Sequence, residues 1–85
     1  MTALEFEEEI KRRLPSAIIE VESSGIATWI NIRFENRFFT IEATPTEPDR
    51  GIGFTEIFDD TNPYMGHDEV FPTWEDLLAF LKAKL

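Results

Sequence analysis

The stretch AIIEVESSGIATWINIRFENRFFTIEA, residues 17–43, decides how this chain folds. It contains three runs, 17–23, 28–34 and 37–43, in which apolar and polar residues alternate, the mark of half-buried strands. Two short turn signals join the runs, Ser24-Gly25 and Glu35-Asn36. Gly25 permits a left-handed turn residue and Asn36 suits one. A two-residue hairpin loop fixes which residues face each other. Around Glu35-Asn36 this sets Phe34 opposite Arg37, Ile32 opposite Phe39, Ile30 opposite Ile41 and Thr28 opposite Ala43. Around Ser24-Gly25 it sets Val21 opposite Thr28, Ile19 opposite Ile30 and Ala17 opposite Ile32. One apolar face then runs across all three strands.

Working outward, Thr2 and Glu5 form a T-x-x-E capping box that opens a helix over about residues 3–14. Ala3, Phe6, Ile10 and Leu14 make a narrow apolar stripe. Glu7, Glu8 and Glu9 each precede a base by four residues, in the favoured order. Acids lead and bases trail, matching the helix dipole, and Pro15 ends the helix. The charged run EFEEEIKRR is thereby accounted for as a solvated helix face.

Beyond the meander, TPTEPDRG (44–51) is a loop, since its prolines cannot continue a central strand. Ile52–Phe58 reads as a fourth strand, with Ile52, Phe54, Glu56 and Phe58 on one parity; Gly51 and Gly53 point to a bulge or an edge. Residues 59–72 form a long connection in which Glu69–Phe71 adds a brief strand pairing. Thr73 caps a second helix, whose Trp74, Leu77, Leu78, Leu81 and Leu85 share one face. The expected architecture is a single α+β domain over residues 1–85. It is a two-layer sandwich in which N- and C-terminal helices pack on one face of an antiparallel four-stranded sheet, in the order αββββα.

A chain of 85 residues buries roughly 60–65% of its unfolded surface, so its core is modest and leaves little room for a ligand cleft of the usual ~300 Å³ or more. Eight phenylalanines must supply much of that core. There is no cysteine, which excludes disulfides and thiolate metal sites. No run has the length of a membrane span, and the N-terminus lacks the layout of a signal peptide; a cytoplasmic location is expected. The net charge of −9 disfavours direct binding to nucleic-acid backbones and favours solubility or a basic partner.

The face opposite the core carries the most informative side chains: Ile18, Trp29, Arg33 and Phe38, among Glu20, Glu22, Asn31, Thr40 and Glu42. The register above sets Trp29 between Glu20 and Glu42, and Arg33 opposite Phe38. Large apolar groups with an arginine, on a face that otherwise meets water, have the composition of a protein-interaction hot spot. The same face also suits cover by loop 59–72, self-association or ordinary cross-strand packing. In the acidic loop, Asp59, Asp60, Asn62, His67, Asp68 and Glu69 offer oxygen ligands and one imidazole. Asp60-Thr61-Asn62 matches only the start of a calcium loop, and Tyr64 stands where the next ligand belongs. His67, the only histidine, has no serine in a nucleophile-elbow pattern to activate. Gly51-Ile52-Gly53 precedes a strand, not a helix, and lacks the other residues of a phosphate loop.

No catalytic residue, cofactor or metal ligand is therefore assigned. The expected function is a small acidic interaction or regulatory module that acts by stoichiometric binding. Its partner is a protein or a second copy, met through Ile18, Trp29, Arg33 and Phe38. Two alternatives stand beside it: an inhibitor that mimics nucleic acid toward a basic protein, and a small-ligand protein or enzyme with its site between the sheet and loop 59–72.

Overall fold

A computed structural model describes residues 1–57 and 68–84. The elements are α1 (Ala3–Arg13), β1 (Ile18–Ser24), β2 (Ala27–Phe34), β3 (Arg37–Ala43), β4 (Ile52–Ile57), β5 (Glu69–Phe71) and α2 (Trp74–Lys84). The strands form one antiparallel sheet in the order β1-β2-β3-β4-β5. The brief pairing at Glu69–Phe71 is thus a fifth strand, and a short turn of 3₁₀ helix (Pro48–Arg50) lies between β3 and β4.

The β2–β3 register is the one the turn dictates, with Phe34 opposite Arg37 and Ile30 opposite Ile41. The positive φ in that turn belongs to Glu35 (57°) and not to Asn36. The β1–β2 register is shifted by two residues from the sequence expectation: Ile19 faces Ile32, Val21 faces Ile30, and Ser24 closes the hairpin against Ala27. The turn residues are therefore Gly25-Ile26. Gly25 has φ +62° and takes the first central position, where a type II′ turn demands glycine. A Ser24-Gly25 turn would have put serine in that place. Because the shift is even, every side chain stays on its expected face.

β4 is an interior strand without a bulge; its pairing with β3 runs unbroken from Ala43–Ile52 to Phe38–Ile57. The glycines thus mark neither a bulge nor an edge. Gly51 has φ +75°, and a Cβ there would lie 2.8 Å from Val70 Cγ1 and 3.0 Å from the Phe71 carbonyl oxygen. It lets β5 close on β4. Gly51→Ala is expected to cost about 2 kcal/mol through strain and this clash, measured by urea unfolding.

Both helices cover one sheet face. The Thr2 hydroxyl accepts from the Glu5 N–H (3.2 Å) while the Glu5 carboxylate accepts from the Thr2 N–H (3.0 Å), completing the capping box. Glu7–Lys11 and Glu9–Arg13 pair as spaced, each at 3.0 Å, whereas Arg12 pairs with Glu9 instead of Glu8. The Thr73 hydroxyl accepts from the Asp76 N–H at 3.1 Å. Phe6, Ile10, Leu77, Leu78 and Leu81 descend onto Ile30, Ile32, Phe39, Ile41 and Phe54. Phenylalanine links the layers: Phe54 packs against Phe39 (5.6 Å) and edge-on against Phe80 (5.3 Å), and Phe80 packs on Phe71 (5.0 Å). Val21 shares this face yet is 48% exposed, because the helix layer does not reach the outer part of β1. Among the described residues no helix is long and apolar enough to cross a membrane.

Candidate functional site

The outer sheet face is built by alternation alone. If Ile30, Ile32, Phe39 and Ile41 face the helices, then Trp29, Asn31, Arg33, Phe38 and Thr40 face away. In the observed register Trp29 lies between Glu22 and Glu42, correcting Glu20, which instead faces Asn31. Arg33 lies between Ile18 and Phe38. Its guanidinium carbon sits 4.7 Å from the Phe38 ring centroid, so the cation is held over the aromatic face. Ile18 is 59% exposed. Trp29 and Phe38 are half-buried. The structure thus brings Ile18, Arg33 and Phe38 together in one row, with Trp29 on the other side of Asn31.

Thr40 and Thr55 are buried, and the Thr40 hydroxyl donates to the Asn31 side-chain oxygen at 2.7 Å. Trp29, Asn31, Phe38 and Thr40, with Glu22, Ser24 and Ile57, line an open hollow of about 410 Å³. A smaller hollow of about 90 Å³ lies between Ile18, Glu20, Arg33 and Phe38. The surface therefore offers aromatic walls, one cation on a ring, and a carboxylate rim of Glu20, Glu22 and Glu42. It can bury apolar groups and attract cations. Among the described residues it sets no nucleophile beside a base.

A larger hollow, about 540 Å³, lies where the two helix N-termini meet the 44–51 loop. The two hollows exceed the room expected of so small a core because they lie on its surface. At the larger one both helix ends are satisfied by their own Thr2 and Thr73 caps, and its acid, Glu75, lies 3.5 Å from the N-terminal ammonium. Its walls are otherwise threonine, proline and apolar groups, which gives weaker grounds for recognition than the outer face.

Sequence reading missed one charged cluster. Glu56 faces the helix layer and is only 7% exposed. Arg37 donates to both of its oxygens, Nε to Oε2 at 3.0 Å and Nη2 to Oε1 at 3.1 Å, and Lys84 Nζ lies 3.4 Å from Oε1. The Arg37 hydrogen bonds hold the Glu56 carboxyl below its ordinary range against the opposing effect of burial, and Glu56 in turn raises Arg37. A carboxyl held ionised in this way is a poor proton donor, so the cluster fastens α2 to the sheet. The signal was present, since Glu56 and Arg37 both fall on the inward parity of their strands.

Asp59, Asp60, Asn62, Tyr64 and His67 lie outside the described residues, as do Phe58 and Leu85. Asp68 accepts from the Glu56 backbone N–H at 3.1 Å, and Glu69 opens β5. Among the described residues no three acidic or histidine side chains converge as a metal site. Family models, curated proteins and solved structures yield no significant match to this chain.

Proposed function

We propose that this protein is a small acidic interaction module that binds a basic protein partner in fixed stoichiometry through its outer sheet face, and does not act by catalysis. The observation that supports it is the placement of Ile18, Trp29 and Phe38 on the face away from the core, with Arg33 over Phe38 and Glu20, Glu22 and Glu42 at the rim. Aromatic burial supplies affinity, and the carboxylates, backed by a net charge of −9, steer a cationic surface into contact. Steering of this kind weakens as salt rises, because exposed charges are screened beyond about 8 Å at physiological ionic strength.

The test has two parts. Light scattering over a concentration series, on wild type and Trp29→Glu, decides whether this face serves self-association: a wild-type dimer that becomes a folded monomer in the variant would move the hetero-partner surface elsewhere. With a monomer in hand, affinity capture compares wild type with a folded Trp29→Ala, Phe38→Ala double variant. The expected result is a partner retained by wild type in a fixed ratio and weakened at least about tenfold by the double change, as hot-spot truncation predicts. Full retention by the variant, with binding that collapses in salt, would favour the nucleic-acid mimic instead.

A further inference from the structure

We infer that the outer edge of β1 is a strand-addition site for an extended segment in which basic and apolar residues alternate. The inference rests on the proposed reading of the protein as a binder of a basic partner, and says where and how that partner is held. The two edges of the sheet differ. β5 has three residues, too few to template another chain, whereas β1 has seven. β1 contains no proline or lysine, its pairing with β2 has no bulge, and the helix layer leaves all of its residues but Ile19 exposed. Ile18, Val21 and, in the hairpin turn, Ile26 are 59%, 48% and 53% exposed.

The hairpin sets which backbone groups are available. In a two-residue loop the closing pair, here Ser24 and Ala27, is hydrogen bonded, and bonded pairs alternate from there. Glu20 and Glu22 therefore spend their backbone groups on β2. Ile19, Val21 and Ser23 aim N–H and C=O away from the sheet, and among the described residues no strand takes them.

Side-chain chemistry selects the occupant. Residues added opposite Ile19 and Val21 lie on the helix side and extend the apolar layer over Val21. Residues opposite Glu20 and Glu22 lie on the outer side against two carboxylates, where lysine or arginine is favoured. Arg33 stands beside Ile18 on that same side, so the basic preference is confined to the two central positions. A second copy of β1 is a poor occupant. In the fully overlapped antiparallel register Val21 meets its copy and Glu20 meets Glu22 twice. A shift of two residues in either direction sets Glu20 against Glu20 or Glu22 against Glu22. Like charges directly opposite destabilise a strand pair.

The probe is the peptide acetyl-Thr-Val-Lys-Val-Lys-Val-Thr-amide, titrated at low salt into the isotope-labelled full chain. The expected result is amide shifts concentrated in β1. Affinity falls about tenfold or more when the central valine of the peptide is N-methylated, which removes one backbone donor and adds a clash, or when both lysines become glutamate. Val21→Pro is expected to produce the same loss, because proline is tolerated on an edge strand where the N–H faces outward; Val21→Ala is expected to keep binding. If Val21→Pro does not fold by circular dichroism, the N-methylated peptide on wild type decides. The proposal is overturned by no shifts at millimolar peptide, by binding indifferent to N-methylation, or by a wild-type dimer that Val21→Pro dissolves. Loss of binding in the Trp29→Ala, Phe38→Ala variant but not in Val21→Pro sinks the edge and leaves the outer face standing. The reverse pattern keeps the edge and removes the aromatic face from the proposed function.

Discussion

Ile30→Asp is expected to leave the chain unfolded at room temperature, while Asn31→Asp, one residue further along the same strand, is expected to cost less than about 1 kcal/mol. Ile30 is 1% exposed, with Val21 and Ile41 directly opposite on either side. The substitution removes a buried branched side chain, worth about 1.5–3 kcal/mol, and puts an unpaired carboxyl in its place, which costs several more. A chain of this length has a total stability of about 4–13 kcal/mol, so the sum consumes most or all of it. Asn31 faces the other way. Aspartate there still accepts the Thr40 hydroxyl, but it stands opposite Glu20, so the expected cost is that of one like-charge cross-strand pair. Circular dichroism with urea titration measures both. Comparable losses from the two substitutions would show the alternation of β2 to be wrongly assigned.

Arg37→Met is expected to destabilise the fold by about 2–3 kcal/mol, more than Glu56→Gln. Methionine keeps a stem over Phe39, whose ring centroid lies 5.0 Å from the guanidinium carbon, and deletes the charge. Glu56 is then a nearly buried carboxylate whose remaining cation is Lys84. In Glu56→Gln the bereft group is Arg37, whose side chain is about one-third exposed and reaches water. The amide still accepts one of its hydrogen bonds, so the expected cost is about 1–2 kcal/mol.

The pair also sets an acid limit. Glu56 titrates lower in the folded chain than its ordinary 4.5. Its contribution is therefore fully present above the unfolded value and is lost as pH falls through the lower, folded value. The stability difference between wild type and Glu56→Gln is expected to be constant from neutrality down to about pH 5 and to shrink below 4.5. Urea midpoints at a series of pH values report it, and a gap that persists unchanged into strong acid would remove Glu56 from the account.

Much of this was legible in residues 17–43. The strands, their faces and the β2–β3 register follow from period-two alternation and one turn. The candidate surface around Ile18, Trp29, Arg33 and Phe38 follows too, because a residue not facing the core must face away from it. The β1–β2 register was off by two residues, since Ser24-Gly25 and Gly25-Ile26 are both two-residue loops and only the backbone angle of Gly25 separates them. The ion cluster at Glu56 was not legible for a similar reason. The parity of Glu56 was visible, but the cations that make an inward carboxylate tolerable come from a neighbouring strand and from the last turn of α2.

By itself the sequence determined what depends on near neighbours: helix spans and caps, strand alternation, the inward and outward sets, and the charge balance. The tertiary structure decided what depends on contacts between distant segments. It made β4 an interior strand by closing β5 over Gly51, tied Arg37, Glu56 and Lys84 into one cluster, hollowed the outer face between Trp29 and Phe38, and left β1 as the long uncovered edge. The physical reason is range. Alternation and capping act over a few residues and are written in local order. An edge, a cavity or a buried ion pair exists only once the layers have closed and excluded water from one side of a group but not the other.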